Sequence, residues 1–242
     1  MTLPWYYIWS DKYRFFHELL KDSMKDSSLH LHSIEIPQSQ FDSEPHTLDG
    51  ESFSRGSLIK VNTLLKCLEE SPNEYIFFTD VDLIVKPGVY DRLKGYLNSN
   101  NDMVFLKQES FLNTGLLLLR KCDSVIEFWK MIRDKIIETP GLDRDYVNQQ
   151  IHSFPGNYTC FNEEFFTCSS TWNNEGDYVI LQILSSSIHK DLNIAGKIFT
   201  IAQSMDVQPY MKYVKEDVIP YIYEFQEYLF QSYKETTNAV NS

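Results

Sequence analysis

The order in which apolar periodicities alternate along this chain limits its fold more than any other feature. The aromatic run WYYIW at 5–9 reads as a strand. Behind it, DKYRFFHELLKDSM at 11–24 places its apolar residues at helical spacing, and LHLHSIEI at 29–36 alternates like a second strand. Strand, helix, strand in this order is a βαβ opening, because parallel strands need a long crossover that a helix supplies. The alternation continues. A polar stretch at 37–57 predicts a functional loop, and LIKVNTLLKCLEE at 58–70 a helix. YIFF at 75–78 predicts a buried strand, and residues 88–100 a short helix. DMVFLK and TGLLLLR read as strands, followed by DSVIEFWKMIRDKIIE as a strong helix with Asp123 as its expected N-cap. Such a sequence predicts an α/β fold with a mostly parallel central sheet flanked by helices.

With 242 residues, 43% of them hydrophobic, the chain can bury one sizeable core, and one domain over 1–242 is expected. The formal charge of -12 disfavours nucleic acid and anionic membranes, since both reward a basic surface. No stretch is apolar enough to span a membrane. The N-terminus lacks a basic start and a small-residue cleavage site, so a cytoplasmic location is expected, with Cys67, Cys122, Cys160 and Cys168 as free thiols. YVILQILSSSIH at 178–189 reads as a strand ending on His189. In the C-terminal segment, about 207–235, Val218, Ile222, Phe225 and Leu229 form one apolar stripe and Ile219, Tyr223 and Phe230 another. A helix apolar on two sides is buried on two sides, by its own domain or by a homodimer contact.

One short stretch carries chemistry. In YIFFTDVDLIVKP at 75–87, Asp80 and Asp82 follow an apolar strand with the spacing that puts two side chains on one side of an extended segment. Like charges so close share a cation or a proton, or splay into water. In open α/β sheets, ligands bind beyond the carboxyl ends of strands, where this pair falls. Alone, the pair reads more readily as a solvated turn after the strand, with Asp82 capping the following segment.

The strand ending in TDVD, NTGLLLLR at 113–120 and DYVNQQI at 145–151, in this order, resemble the nucleotide-diphospho-sugar transferases, glycosyltransferases of GT-A fold that include small soluble enzymes of bacteria and large algal viruses. The resemblance spans roughly residues 5–200 and is nearest to the retaining branch. It implies that Asp80 and Asp82 are the DxD motif and hold Mn²⁺ or Mg²⁺ against the donor diphosphate. It implies that Asn113 and Gly115 face the donor sugar, that Lys60 lies near the nucleotide, and that His189, followed by Gly196 and Lys197, completes the metal site. It places the donor base near Trp9, Ser10 and Tyr13, with uridine as the base. Donor and acceptor would be a nucleotide sugar and a glycan or glycoprotein hydroxyl, the latter met by the aromatic loop 154–178.

Elementary chemistry agrees with the metal. A nucleoside diphosphate gains charge as it leaves, and a divalent cation bridging its phosphates stabilises that charge. Asn148 and Gln149 stand where the family carries an Asp-Gln pair. Both are neutral, and a retaining enzyme can let the departing phosphate take the acceptor proton, so net retention is expected. Plainer readings stand beside these: Lys60 as a solvated helix lysine, Asn113 in a turn, Gln149 as a surface amide. Two other functions share the pattern. A haloacid-dehalogenase-like phosphatase also uses DxD after an apolar strand, although its motif continues with Gly-Thr where Leu83-Ile84 stand here. A non-catalytic nucleotide-sugar-binding domain would keep the fold without turnover.

Overall fold

The computed structural model describes residues 2–24, 29–41, 51–170, 177–184 and 190–224, the side chains of 51–53 and 190 excepted. The βαβ opening is present. Strand β1 (Leu3–Trp9) runs through a 3-10 turn into helix α1 (Arg14–Ser23), and β2 (Leu29–Glu35) returns parallel to β1 with Leu3 opposite Leu29. Helix α2 (Glu51–Glu70) then leads to β3 (Tyr75–Thr79), parallel to β1 on its other side. The chain continues through β4 (Leu83–Val85), α3 (Val89–Leu97), β5 (Met103–Gln108) and β6 (Phe111–Arg120). Helices α4 (Asp123–Glu138) and α5 (Asp143–Gln150) follow, then β7 (Tyr158–Cys160), β8 (Phe166–Cys168), β9 (Ile180–Gln182) and α6 (Lys190–Ala202).

The central sheet has six strands in the order β2-β1-β3-β6-β5-β7 and is mostly parallel, with β6 antiparallel to both β3 and β5. A small sheet, β4-β9-β8, stands beside it. The central strands are buried on both faces, which explains their unbroken apolar runs. Ile76, Phe78, Leu117 and Leu119 pack with Val61 and Leu64 of α2, Trp129 and Ile132 of α4 and Val147 of α5. Phe77, Leu116 and Leu118 point the other way, into Trp5, Phe15, Leu83, Leu181, Ile194 and Ile198.

Several expectations change. Helix α2 begins at Glu51, inside the stretch read as a loop, because Ser54 and Ser57 turn inward and hide its apolar period. Residues 42–50 of that stretch lie outside the described residues. The N-cap of α4 is Cys122, and Asp123 is the first helical residue, where a carboxylate still complements the helix dipole. Within 178–189 only Ile180–Gln182 form a strand, and α6 was not foreseen, since buried Asn193 interrupts its apolar face. Near the C-terminus a 3-10 turn, Gln208–Tyr213, precedes helical residues 219–224. Val218 and Ile222 are buried there, whereas Tyr223, of the second stripe, is 63% exposed. Phe225, Leu229 and Phe230 lie outside the described residues.

The four cysteines are free, and burial pushes the Cys67 thiol up to about 12. Among the described residues no helix is long and apolar enough to cross a membrane. One buried bond fixes the end of the central strand: the Trp5 indole Nε1–H donates to Thr79 Oγ1 at 2.8 Å. Thr79→Val keeps the shape and orphans that donor, so it should destabilise by about 1–3 kcal/mol. A shifted urea midpoint at unchanged m-value would show it, and an unshifted midpoint would contradict it.

Candidate functional site

The site begins where the chain changes sheets. The Asp80 N–H donates to the Gly115 carbonyl at 2.9 Å beside the last rung between β3 and β6. The Leu83 N–H then donates to the Val81 carbonyl at 2.9 Å, a tight turn, and β4 pairs with β9. Val81 is buried and pins the turn inward, with a carboxylate on either side of it. On the far side, the Ile183 N–H donates to the Asp82 carbonyl at 2.9 Å. Since β1 and β3 are parallel, Ser10 and Tyr13 leave the sheet at the same edge.

Two lysines meet these carboxylates. Lys60, on the inner stripe of α2 with Ser57, Val61 and Leu64, is buried. Its Nζ lies 2.9 Å from Asp80 Oδ1 and 3.3 Å from Asp143 Oδ2, and it donates to Thr114 Oγ1 at 3.4 Å. Asp143, in the first turn of α5, also accepts from Ser57 Oγ at 2.9 Å. Lys197, within α6, donates from its ammonium to Asp82 Oδ2. Burial opposes the charge on both lysines. The carboxylates more than offset it, Asp143 and Asp80 for Lys60 and Asp82 for Lys197, and hold both ammonium groups above their ordinary range. Burial likewise opposes charge on Asp143, but Lys60, Thr114 and Ser57 bring its pKa below the ordinary value. For Asp80 burial prevails over Lys60, and with the push of Asp82 its pKa is raised.

Gln182 completes the cluster. It is 3% exposed, and its Nε2 donates to Asp80 Oδ2 at 3.2 Å. Three oxygens in the cluster are buried without a hydrogen-bond partner, Asp82 Oδ1, Gln182 Oε1 and Asp143 Oδ2, the last of them 3.3 Å from Lys60 Nζ. Among the described residues no three His, Cys, Asp or Glu side chains group as a metal site.

The structure thus brings together Lys60, Asp80, Asp82 and Lys197 from the predicted set, with Gly115 beside them. Tyr13 joins them, its ring centroid 5.9 Å from Lys197 Nζ. Burial raises its hydroxyl pKa, opposed by Lys197 and reinforced by Asp82 and Asp80. The Ser10 carbonyl accepts the Tyr13 N–H at 2.7 Å. Trp9 stacks on His17 with centroids 4.0 Å apart, and its buried Nε1 lacks a hydrogen-bond partner. Asn113 turns its oxygen to the Gly115 N–H at 2.7 Å and its Nδ2 to Gln108 Oε1 at 3.0 Å.

Asn148 requires a correction, because its amide is a structural clamp. Its oxygen accepts from the Leu112 N–H at 2.9 Å, and its Nδ2 donates to the Leu112 and Arg144 carbonyls, both at 2.8 Å. With both ends occupied by backbone, it fastens α5 to the start of β6. Gln149 is exposed on α5. His189 lies outside the described residues.

Sequence reasoning missed Asp143, Gln182, Ser57 and Thr114. Asp143 carried no local signal. A lone amide inside the apolar run YVILQIL could have marked Gln182, since a buried polar side chain needs a partner.

No family model matches the chain, and no curated protein does. Solved structures do. A glycosyltransferase involved in glycosylating the major capsid of PBCV-1 superposes with TM-score 0.53 at 14% identity, over 75% of this chain and 93% of that one. The apo form of the glycosyltransferase GlyE of Streptococcus pneumoniae TIGR4 gives 0.55 at 13%, over 94% of this chain and 64% of its own length. The galactosyltransferase LgtC, solved with donor and acceptor sugar analogs, gives 0.51 at 12%, over 90% of this chain and 100% of that one. This is the GT-A fold. In GT-A terms, the Asp80 to Asp82 turn is the link between the large and small sheets.

The opposed shifts of Asp80 and Asp143 make a stability test. Asp143, lowered, stabilises above its ordinary value of 3.8, and this is lost as pH falls through its folded pKa. Asp80, raised, costs stability at neutral pH, a cost that vanishes as pH falls through its folded pKa toward 3.8. Asp143→Asn should therefore lose about 3 kcal/mol at pH 7, and Asp80→Asn should lose nothing. Denaturant unfolding at pH 7 decides it: equal losses in both variants would refute this account of the cluster.

Proposed function

We propose that this chain is a glycosyltransferase that moves a sugar from a nucleotide diphosphate donor, with uridine as the base, to a hydroxyl of a glycan or glycoprotein. The observation that carries this reading is the Asp80/Asp82 pair at the sheet-to-sheet turn of a GT-A fold, with Asp82 Oδ1 buried and unpartnered. An ionised diphosphate cannot approach these carboxylates unaided, because all its outer oxygens are acceptors and carry the same charge. A divalent cation, Mn²⁺ or Mg²⁺, fits the donor set: hard oxygens, one of them an orphan, on side chains 5% exposed or partly buried. Asp80 and Asp82 would hold it, and when bound it supplies Lewis-acid stabilisation of the departing diphosphate.

The protein's own groups do the rest. Lys60 and Lys197 pair with the two carboxylates and fix their positions, and Lys197 adds positive charge beside the leaving group. Ser10 and Tyr13, just after β1, would meet the nucleotide. The carboxylates of the cluster all face ammonium groups, which leaves none of them as a base for an acceptor hydroxyl. This favours retention, with the departing phosphate taking the proton and the neutral amide of Gln149 acting on the positive charge that develops at the anomeric carbon. The same pairing of Asp80 with Lys60 and Gln182 disfavours its use as a phosphatase nucleophile.

A panel of nucleotide sugars with Mn²⁺ tests the class, since nucleotide release marks transfer, phosphate release from monoesters marks a phosphatase, and neither marks a binding domain. Asp82→Asn or excess EDTA should cut transfer by about 10²-fold or more. Full activity in EDTA would sink the metal. The anomeric signal of early product, read by NMR, should match the donor configuration, and the opposite configuration would rule out retention.

A further inference from the structure

We infer that Gln182 is the third oxygen donor of the cation site, beside Asp80 and Asp82. The inference rests on the reading of that site as a divalent-cation site.

Gln182 sits on β9 between Leu181 and Ile183, both fully buried. An amide there offers two N–H donors and a carbonyl acceptor, all shielded from water. Its Nε2 lies 3.2 Å from Asp80 Oδ2, and its Oε1 is buried with no hydrogen-bond partner. Asp80 itself settles which end is which. A reversed amide would set Oε1 against the carboxylate oxygen, two acceptors face to face. Gln182 Oε1 and Asp82 Oδ1 are thus orphaned acceptors in one cluster, as is Asp143 Oδ2, which has Lys60 Nζ at 3.3 Å, and whatever satisfies the first two must bring positive charge or several hydrogen-bond donors. A diphosphate brings neither. A hard cation does, and it takes carboxylate and side-chain carbonyl oxygens alike.

Gly115 makes the arrangement sterically possible. A Cβ at that position would fall 1.8 Å from Gln182 Nε2 and 2.7 Å from Oε1. The glycine is therefore required for the close approach of the amide to Asp80, and its φ is not in the left-handed region. An amide oxygen adds a ligand without adding charge, which suits a site where Lys60 and Lys197 already neutralise part of the carboxylate charge. Carboxylate and amide oxygens of this kind suit Mg²⁺ or Mn²⁺.

The test is calorimetric titration of the full chain with Mn²⁺ in the presence of UDP, with free Mn²⁺ followed in parallel by its EPR signal. Gln182→Leu should weaken Mn²⁺ binding by about 10-fold or more, the scale of losing even an outer partner of a ligand. Gly115→Ala should weaken it similarly by displacing the amide. Gln182→Glu should preserve or tighten it, and Gln182→His should shift preference toward Zn²⁺. Circular dichroism and melting temperature check the fold, and Gln182→Glu, which keeps the oxygen, remains informative if the leucine variant does not fold. Wild-type affinity in both Gln182→Leu and Gly115→Ala, with Asp82→Asn abolishing binding, would overturn the role of Gln182 and leave the cation site standing. Absence of Mn²⁺ binding by the wild-type chain, with or without UDP, would overturn both.

Discussion

Three carboxylates converge at one turn and share two ammonium groups, and the surrounding elements are arranged to make that tolerable. Lys60 stands between Asp80 and Asp143, so one buried charge from α2 ties the end of β3 to the start of α5. Lys197 does the same between α6 and the turn at Asp82. Buried charges are costly unless paired and hydrogen-bonded, and here Ser57 and Thr114 supply the neutral donors or acceptors that pairing leaves unmet. The pairs act as clamps. Lys12 adds another beside the same edge, reaching Asp191 of α6 at 2.7 Å and Asp217 at 2.9 Å.

The balance is uneven by design of position. Asp143 has an ammonium, a hydroxyl and a helix start in its favour and stays ionised easily. Asp80 faces Asp82 across one residue, and its pKa is raised. A carboxylate whose charge its surroundings disfavour is suited to receive a further positive charge, and the orphaned oxygens of Asp82 and Gln182 point to the same need. Electrostatic frustration and ligand binding are two descriptions of one feature.

The fold was largely legible because its signals are local. Aromatic and β-branched runs marked β1 to β3, and four leucines buried on alternating faces marked β6. The Asp80/Asp82 pair was legible for the same reason, as charge at the end of an apolar strand. The start of α2 was hidden because its inward residues include serines, and Ser57 is one that the site uses. Around 145–151 the polar residues gave no register, so attention fell on Asn148, whose amide is bound to Leu112, while Asp143 reaches the cluster.

By itself the sequence determined most of the order of strands and helices as far as α4 and the place of one carboxylate pair, since periodicity and strand ends are properties of neighbouring residues. It also limited the partners through a net charge of -12. Only the tertiary structure decided which side chains meet that pair. Lys60, Asp143, Gln182 and Lys197 come from four elements, and Gln182 lies 102 positions from the aspartate it touches. Pairing of buried charge and the clearance over Gly115 depend on how sheets and helices pack in space. No local pattern records that.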